Sequence, residues 1–297
     1  MDFVVRTGHL PVAGETVLGH AFRTIPGGKG ANQAVSAAKL AAGRMPVKMI
    51  GRVGLDAYGD RLKAGLAGAG VDVSAVGASR TQPTGVAFIT VDQEGANQIV
   101  VAPGANADIQ PGDAEAIRRV FRGAGVALFQ LETPLEVVAA AMRIAREEGL
   151  LTILDPAPAC PLPDGFLKDV DIVTPNETEA AALAGVGAED PLECARRIAS
   201  LGAGTVILKL GANGCFALSD GEGFHVPGFA VEAVDTTAAG DTFNGALAVA
   251  LAEGTELREA LRFANAAAAI SVTREGAQPS VPTRAELDAF LSTHSAL

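Results

Sequence analysis

From about residue 113 onward the chain repeats one pattern, an apolar run of strand length followed by a stretch with helical spacing. The runs Val126-Ala127-Leu128-Phe129, Leu151-Thr152-Ile153-Leu154, Asp171-Ile172-Val173 and Thr205-Val206-Ile207-Leu208 are too unbroken for strands with one wet face. They read as strands buried on both faces. Helical patterns lie between them, including residues 135–148, whose start Thr133-Pro134-Leu135-Glu136 has the spacing of a capping box with Pro at the first helical position. Alternation of this kind predicts an α/β fold with a mostly parallel central sheet and helices on both faces. Such sheets bind ligands at the carboxyl ends of their strands.

Two earlier segments have a different texture. In residues 1–28, Val4-Val5 and Glu15-Thr16-Val17 read as short antiparallel strands ahead of the breaker Ile25-Pro26-Gly27-Gly28. In residues 84–103, Val86 to Val91 and Gln98 to Val101 flank the turn-rich Asp92-Gln93-Glu94-Gly95-Ala96-Asn97, a hairpin signal. Both segments predict a small β-sheet lid. No Ser/Pro-rich linker and no internal repeat divides the 297 residues, so the expectation is a single domain over 1–297 that includes the lid.

Composition excludes several function classes. With 23 basic and 34 acidic residues the net charge is −11, and there is one Tyr and no Trp, so nucleic acid is not an expected partner. Cys160, Cys194 and Cys215 form no C-x-x-C pair, which argues against a disulfide framework or a cysteine-based zinc site and predicts a reducing, cytoplasmic setting. His9, His20, His225 and His294 have no partner at ligand spacing. The start Met1-Asp2-Phe3-Val4-Val5-Arg6 shows no signal peptide, and no apolar run nears the roughly 18 residues of a membrane span.

Chemistry is written most clearly in Val234 to Ala246, where Asp235-Thr236-Thr237-Ala238-Ala239-Gly240-Asp241 leads into an apolar helix reaching about residue 252. Small residues at a helix start let backbone N–H groups converge, and the helix dipole adds positive potential, so Ala238, Ala239 and Gly240 can cradle a phosphate. Asp241 beside them can take the proton of a hydroxyl attacking a phosphoryl group; equally, it can simply cap the helix. A second signal, Pro26-Gly27-Gly28-Lys29-Gly30-Ala31-Asn32-Gln33, opens a helix of small residues through about residue 42. Lys29 and Asn32 there can hydrogen-bond hydroxyls. It is not a Walker A loop, and no G-x-G-x-x-G occurs in the chain.

Taken together, Gly27 to Ala34, Thr174-Pro175-Asn176-Glu177-Thr178-Glu179 and Asp235 to Ala246 resemble, in order and spacing, the sugar-binding, N-x-x-E and anion-hole motifs of the ribokinase-like (PfkB) carbohydrate kinases. The resemblance spans essentially the whole chain, down to Gly276-Ala277-Gln278-Pro279-Ser280. It implies ATP-dependent phosphorylation of the primary hydroxyl of ribose to ribose 5-phosphate. Deoxyribose or another small sugar is the alternative substrate, and a non-catalytic sugar-binding regulator the alternative class.

By the same resemblance, Asp241 is the general base and Ala238-Ala239-Gly240 the anion hole. Asp2, Gly28, Lys29, Asn32 and Glu132 match sugar-contacting positions. ATP is implied at Asn176, at the nucleotide loop Lys209-Leu210-Gly211-Ala212-Asn213-Gly214, at Gly240 and at Asn265. Glu179 matches a position near Mg²⁺, reached through water, as suits an ion that dehydrates reluctantly. Asp235, Thr237, Ser271, Arg274, Gly276 and Ser280 match a monovalent-cation (K⁺) site built largely from backbone carbonyls. A homodimer through the lid is expected, because lid strands expose edges.

The resemblance departs at the N-terminus. Members begin with a buried strand and a Gly-Ser-x-Asn-x-Asp segment; here Asp2 remains, but the strand, the glycine and the asparagine are absent. The expectation is that the first family strand is missing and that roughly 10–15 further residues, a strand plus a turn, precede Met1.

Overall fold

The computed structural model describes residues 1–110, 113–187 and 189–294. In chain order its strands are β1 (Asp2–Arg6), β2 (Ala21–Ile25), β3 (Val47–Lys48), β4 (Gly51–Gly54), β5 (Val71–Asp72), β6 (Val76–Ser79), β7 (Val86–Val91) and β8 (Asn97–Ala102). Then come β9 (Val126–Phe129), β10 (Leu151–Leu154), β11 (Ile172–Val173), β12 (Thr205–Lys209), β13 (Cys215–Ser219) and β14 (Glu222–Val226). The helices are α1 (Lys29–Ala41), α2 (Ala57–Gly68), α3 (Ala114–Phe121), α4 (Leu135–Glu147), α5 (Glu177–Ala184), α6 (Pro191–Ser200), α7 (Ala239–Ala252), α8 (Leu257–Val272) and α9 (Arg284–Thr293).

The unbroken apolar runs do become a sheet covered on both sides. Strands β9 to β12 pair in parallel, and the antiparallel hairpin β13–β14 extends them, in the order β14-β13-β12-β11-β10-β9. Successive residues alternate faces. Ile153, Ile172 and Ile207 pack with α1, α7 and α8, while Leu154, Val173, Val206 and Leu208 pack with α4 and α6. Burying each such side chain contributes about 1.5–3 kcal/mol, which is why a run apolar at every position settles only in the interior of a layered sheet. No helix among the described residues is long and apolar enough to cross a membrane.

The lid is a second sheet, β2-β1-β7-β8, with β1 antiparallel to β2 and parallel to β7. The Phe3 ring stacks between Phe22 and Phe88, at 6.1 and 5.4 Å, and meets Tyr58 edge-on at 5.4 Å. The β7–β8 hairpin forms where its sequence predicts. Glu15-Thr16-Val17, by contrast, is not a strand: the Glu15 carboxylate accepts the Val12 N–H and pairs with His9, so this segment is spent on a turn. The partner of β1 is instead 21–25, running up to the Pro-Gly-Gly breaker. The capping box expected at Thr133 is also absent, because Pro134 occupies the cap position and Thr133 falls one residue too early.

Two helix N-termini converge at the carboxyl ends of the parallel strands, those of α1 and α7. Their axes come close because both surfaces are made of small residues: a Cβ added at Gly245 of α7 would lie 2.5 Å from the Ser36 Cβ and 2.7 Å from the Gln33 carbonyl oxygen of α1. Gly245→Ala is therefore expected to force the helices apart and to destabilise the protein by about 1–3 kcal/mol in urea unfolding. A variant as stable as the wild type would show that the contact is slack.

Candidate active site

Asp241 occupies the third position of α7 and is 6% exposed, yet it caps nothing. Its carboxylate is held from α1 instead: Asn32 Nδ2 donates to Oδ2 and Gln33 Nε2 to Oδ1, both at 2.9 Å. Asn32 and Gln33 follow the Gly27-Gly28 turn, where Gly28 adopts φ +96°, a left-handed conformation natural only to glycine, and starts α1 at the correct angle. Burial raises the Asp241 pKa above the ordinary carboxylate value, against the pull of Lys29 and the two amides.

The turn into α7 is tight. Ala238 sits at φ +58°, unusual for a residue with a Cβ, and the Ala239 N–H donates back to the Thr236 carbonyl at 3.2 Å, while Gly240 and Asp241 follow in the first turn of α7. Across from them, Lys209 Nζ at the end of β12 lies 3.4 Å from where a Gly240 Cβ would be, so a side chain at 240 would crowd the ammonium. Lys209 is held there by Asp155, whose Oδ1 accepts from Nζ at 2.8 Å. Gln33 closes the circuit, because the same Nε2 that donates to Asp241 also donates to Asp155 at 2.9 Å. The Gln33 side-chain oxygen Oε1 accepts from Gln130 Nε2.

A cavity of about 430 Å³ opens over this arrangement, lined by Lys29, Asp155, Asn176, Glu179, Lys209, Gly211, Ala238, Ala239, Gly240 and Asp241 among others. On one side stands Lys29. Burial works against its charge, but the carboxylates of Asp241, Asp155, Glu132 and Glu179 outweigh that and hold its pKa above the ordinary value. Glu132, just past β9, accepts the Lys29 backbone N–H at 2.8 Å, and burial raises its pKa. Asp2 at the start of β1 packs against Gly27, and burial likewise pushes its carboxyl up. Asp2, Gly28, Lys29, Asn32 and Glu132 thus form one polar patch leading from the lid to Asp241.

On the opposite side, Asn176 and Glu179 are a capping box for α5: the Glu179 carboxylate accepts from the Asn176 backbone and side chain at 2.8 and 2.9 Å. Lys209 ends β12, and Leu210 and Gly214 flank the 3-10 turn Gly211–Asn213; of this loop, Lys209 and Gly211 line the cavity. Asn265 is not brought to the cavity lining. It is buried on α8 and donates to the carbonyls of Val226 and Pro227 at 3.2 Å. Asp235 ties two loops together, accepting the backbone N–H groups of Thr237 and Gly276 at 2.9 and 2.8 Å. Ser271 and Ser280 hydroxyls donate to local carbonyls, and Arg274 reaches away to Glu286.

Gln33, Asp155, Gln130 and Gln278, which donates to Asn32 at 3.2 Å, are site residues that the motif reading passed over. Gln33, standing within the Gly-rich motif one residue after Asn32, and Gln278, within Gly276 to Ser280, carried a readable sign.

The pattern of the pfkB family carbohydrate kinases matches residues 1–284. The chain is 43% identical to a ribokinase of Haemophilus influenzae over 98% of its own length and 95% of that protein's, and 41% identical to a ribokinase of Bacillus subtilis over 98% and 96%. A ribokinase structure from Thermotoga maritima superposes with a TM-score of 0.88 at 39% identity, covering 98% of this chain and 96% of that one. A ribokinase of Arabidopsis thaliana described in complex with ribose and ATP gives 0.88 at 36%, covering 98% and 95%.

Gln33→Leu removes the donor shared by Asp241 and Asp155 while keeping the volume. The Asp241 pKa is expected to move further up, followed by carboxyl ¹³C NMR, and stability to fall by about 1–3 kcal/mol for the donor lost to two buried carboxylates. An unmoved titration would mean that the amide does not hold the carboxylate.

Proposed function

The chain belongs to the pfkB family of carbohydrate kinases, and we propose that it transfers the terminal phosphoryl group of ATP to the primary hydroxyl of ribose, giving ribose 5-phosphate. One observation carries this reading: a buried carboxylate, Asp241, stands in the first turn of α7, with an ammonium, Lys209, close to Gly240 at the start of that helix. The combination serves phosphoryl transfer to an alcohol, because the base and the charge acceptor are adjacent. The ribokinases of Haemophilus influenzae and Bacillus subtilis, similar over nearly the full length, favour ribose as the sugar.

Ribose lies under the lid with its hydroxyls on Asp2, Glu132, Asn32 and the Gly28–Lys29 turn. Asp241 takes the proton of the primary hydroxyl as that oxygen bonds to the γ-phosphorus, and the bond from phosphorus to the bridging oxygen of ADP breaks. Negative charge on the transferring group falls on the Gly240 and Asp241 N–H groups at the start of α7 and on Lys209. Asn32 and Gln33 keep Asp241 from turning away, and lid closure excludes water. ATP runs from Gly240 along Lys209 to Gly214 and toward Asn265 on α8.

Among the described residues no three His, Cys, Asp or Glu side chains are grouped to hold a metal. Glu179 and Asn176, both lining the cavity, would hold Mg²⁺ there through water, and the ion would supply positive charge to the phosphates. Because the Asp235 carboxylate is occupied by two backbone N–H groups and Arg274 faces away, a K⁺ ion at the 235–237 and 271–280 loops would take carbonyl and hydroxyl oxygens. The lid leaves Phe22, Phe88 and the outer residues of β8 exposed, an apolar face that a homodimer would cover. Free cysteines fit a cytoplasmic setting.

A panel of ribose, deoxyribose and other small sugars, assayed by ADP release, tests the substrate, and turnover highest on another sugar would overturn ribose. Asp241→Asn is expected to lower kcat at least about a hundredfold with ribose and ATP binding largely kept. In the wild type, activity should fail on the acid side at a pH above the ordinary carboxylate range, because the base works only deprotonated and burial raises its pKa. Activity should also be higher in K⁺ than in Na⁺ at equal ionic strength, and equal rates in K⁺, Na⁺ and a large organic cation would remove the cation site.

A further inference from the structure

Asp155 belongs to none of the three sequence motifs, yet it stands between the two halves of the site. It is the first residue after β10, and the sheet fixes its place: its backbone N–H donates to the carbonyl of Phe129, the last residue of β9, at 2.9 Å. Asp155 is only 2% exposed, and a carboxylate taken out of water needs donors. It has two, from different elements and on different oxygens. Lys209 Nζ, at the end of β12, donates to Oδ1 at 2.8 Å, and Gln33 Nε2, on α1, donates to Oδ2 at 2.9 Å.

This pairing restricts the residue type at 155. The Gln33 amide cannot turn over, because its Oε1 accepts from Gln130 Nε2 while its own Nε2 donates to both Asp155 and Asp241. With donors arriving at both Asp155 oxygens, an amide at 155 would aim its own N–H groups at one of them, so the position calls for a carboxylate.

The charge acts alongside the geometry. Around Asp241 stand Lys29 from α1, Glu132 past β9, Asp155 past β10 and, paired with Asp155, Lys209 from β12. Burial is the main reason that the Asp241 pKa is raised; Lys29 opposes the rise, and the Asp155 carboxylate adds to it. Lys209 in turn is kept beside the start of α7, its Nζ 3.4 Å from a Cβ placed at Gly240. A lysine ammonium is a point charge on a flexible four-carbon stem, so without Asp155 nothing of comparable charge would fix it at that spot.

Given the phosphoryl transfer assigned above, on which this inference rests, we propose that Asp155 is a positioning residue for that reaction and acts by two separable routes. Through Lys209 it fixes an ammonium where the transferring group passes, and through its own negative charge, held against Asp241 by the shared Gln33 amide, it keeps Asp241 a strong proton acceptor. The first route shows in kcat rather than in nucleotide affinity, and the second in the pH dependence of kcat.

Asp155→Asn, Lys209→Met and the double variant are compared for ADP affinity by calorimetry and for kcat against pH. Asp155→Asn should lower kcat at least about tenfold and keep ADP affinity within about twofold, since a loose ammonium still attracts phosphates but no longer meets the transferring group. Its acid limb should move to lower pH, because the base loses a neighbouring negative charge and its proton affinity falls. In the Lys209→Met background the same substitution should cost no more than about threefold in kcat, the group it acted through being gone, and should still move the acid limb down. The double variant removes both charges of the buried pair together, so it serves where Asp155→Asn alone fails to fold. Equal kcat losses with and without Lys209, or an acid limb that stays in place, would overturn the proposal. So would an ADP affinity that falls as far as kcat in Asp155→Asn, the mark of a site that has come apart. The assigned reaction is tested separately by the wild type, and fails only if that protein shows no sugar-dependent ADP release.

Discussion

The site depends on two amide side chains laid on one carboxylate. Asn32 and Gln33, adjacent on α1, each donate to a different oxygen of Asp241 on α7. That arrangement exists only because the helices approach at Gly245, where the Ser36 side chain and the Gln33 carbonyl leave no room for a methyl group. A buried carboxylate with both oxygens hydrogen-bonded is held in one orientation. Its burial raises its proton affinity, and the amides keep that rise in check.

Around this pair the charges alternate in a way that suits an anionic substrate. Lys29 and Lys209 stand on opposite sides of the cavity, each compensated by carboxylates, Lys209 by Asp155 and Lys29 by Asp241, Asp155, Glu132 and Glu179. Asp155 therefore serves both cations and, through Gln33, is tied to the base. An incoming polyphosphate meets ammonium groups that are already placed, which limits the reorganisation needed at the moment of transfer.

The lid and the sheet meet at Met1. Strand β1 starts at Asp2, which packs against Gly27, while its Phe3 anchors this sheet through Phe22, Phe88 and Tyr58.

Periodicity and small-residue motifs in the sequence determined the class of fold, the runs that became β9 to β12, the β7–β8 hairpin, and Asp241 with its helix start. Each of these is a local matter: unbroken apolar runs can only be interior strands, and glycine-rich turns before helices can only expose backbone N–H groups. Neither the strand at 21–25 nor the loss of Glu15–Val17 to a turn was legible, because both depend on what β1 and His9 offer as partners. The choice between Asp241 as cap and as base was likewise open in the sequence. What the tertiary structure adds is the set of partners, bringing Asn32 and Gln33 across more than two hundred residues of chain to the Asp241 oxygens and Asp155 to Lys209. Long-range pairing of buried polar groups leaves no periodic trace, since a satisfied glutamine and a surface glutamine are the same letter until packing removes the water.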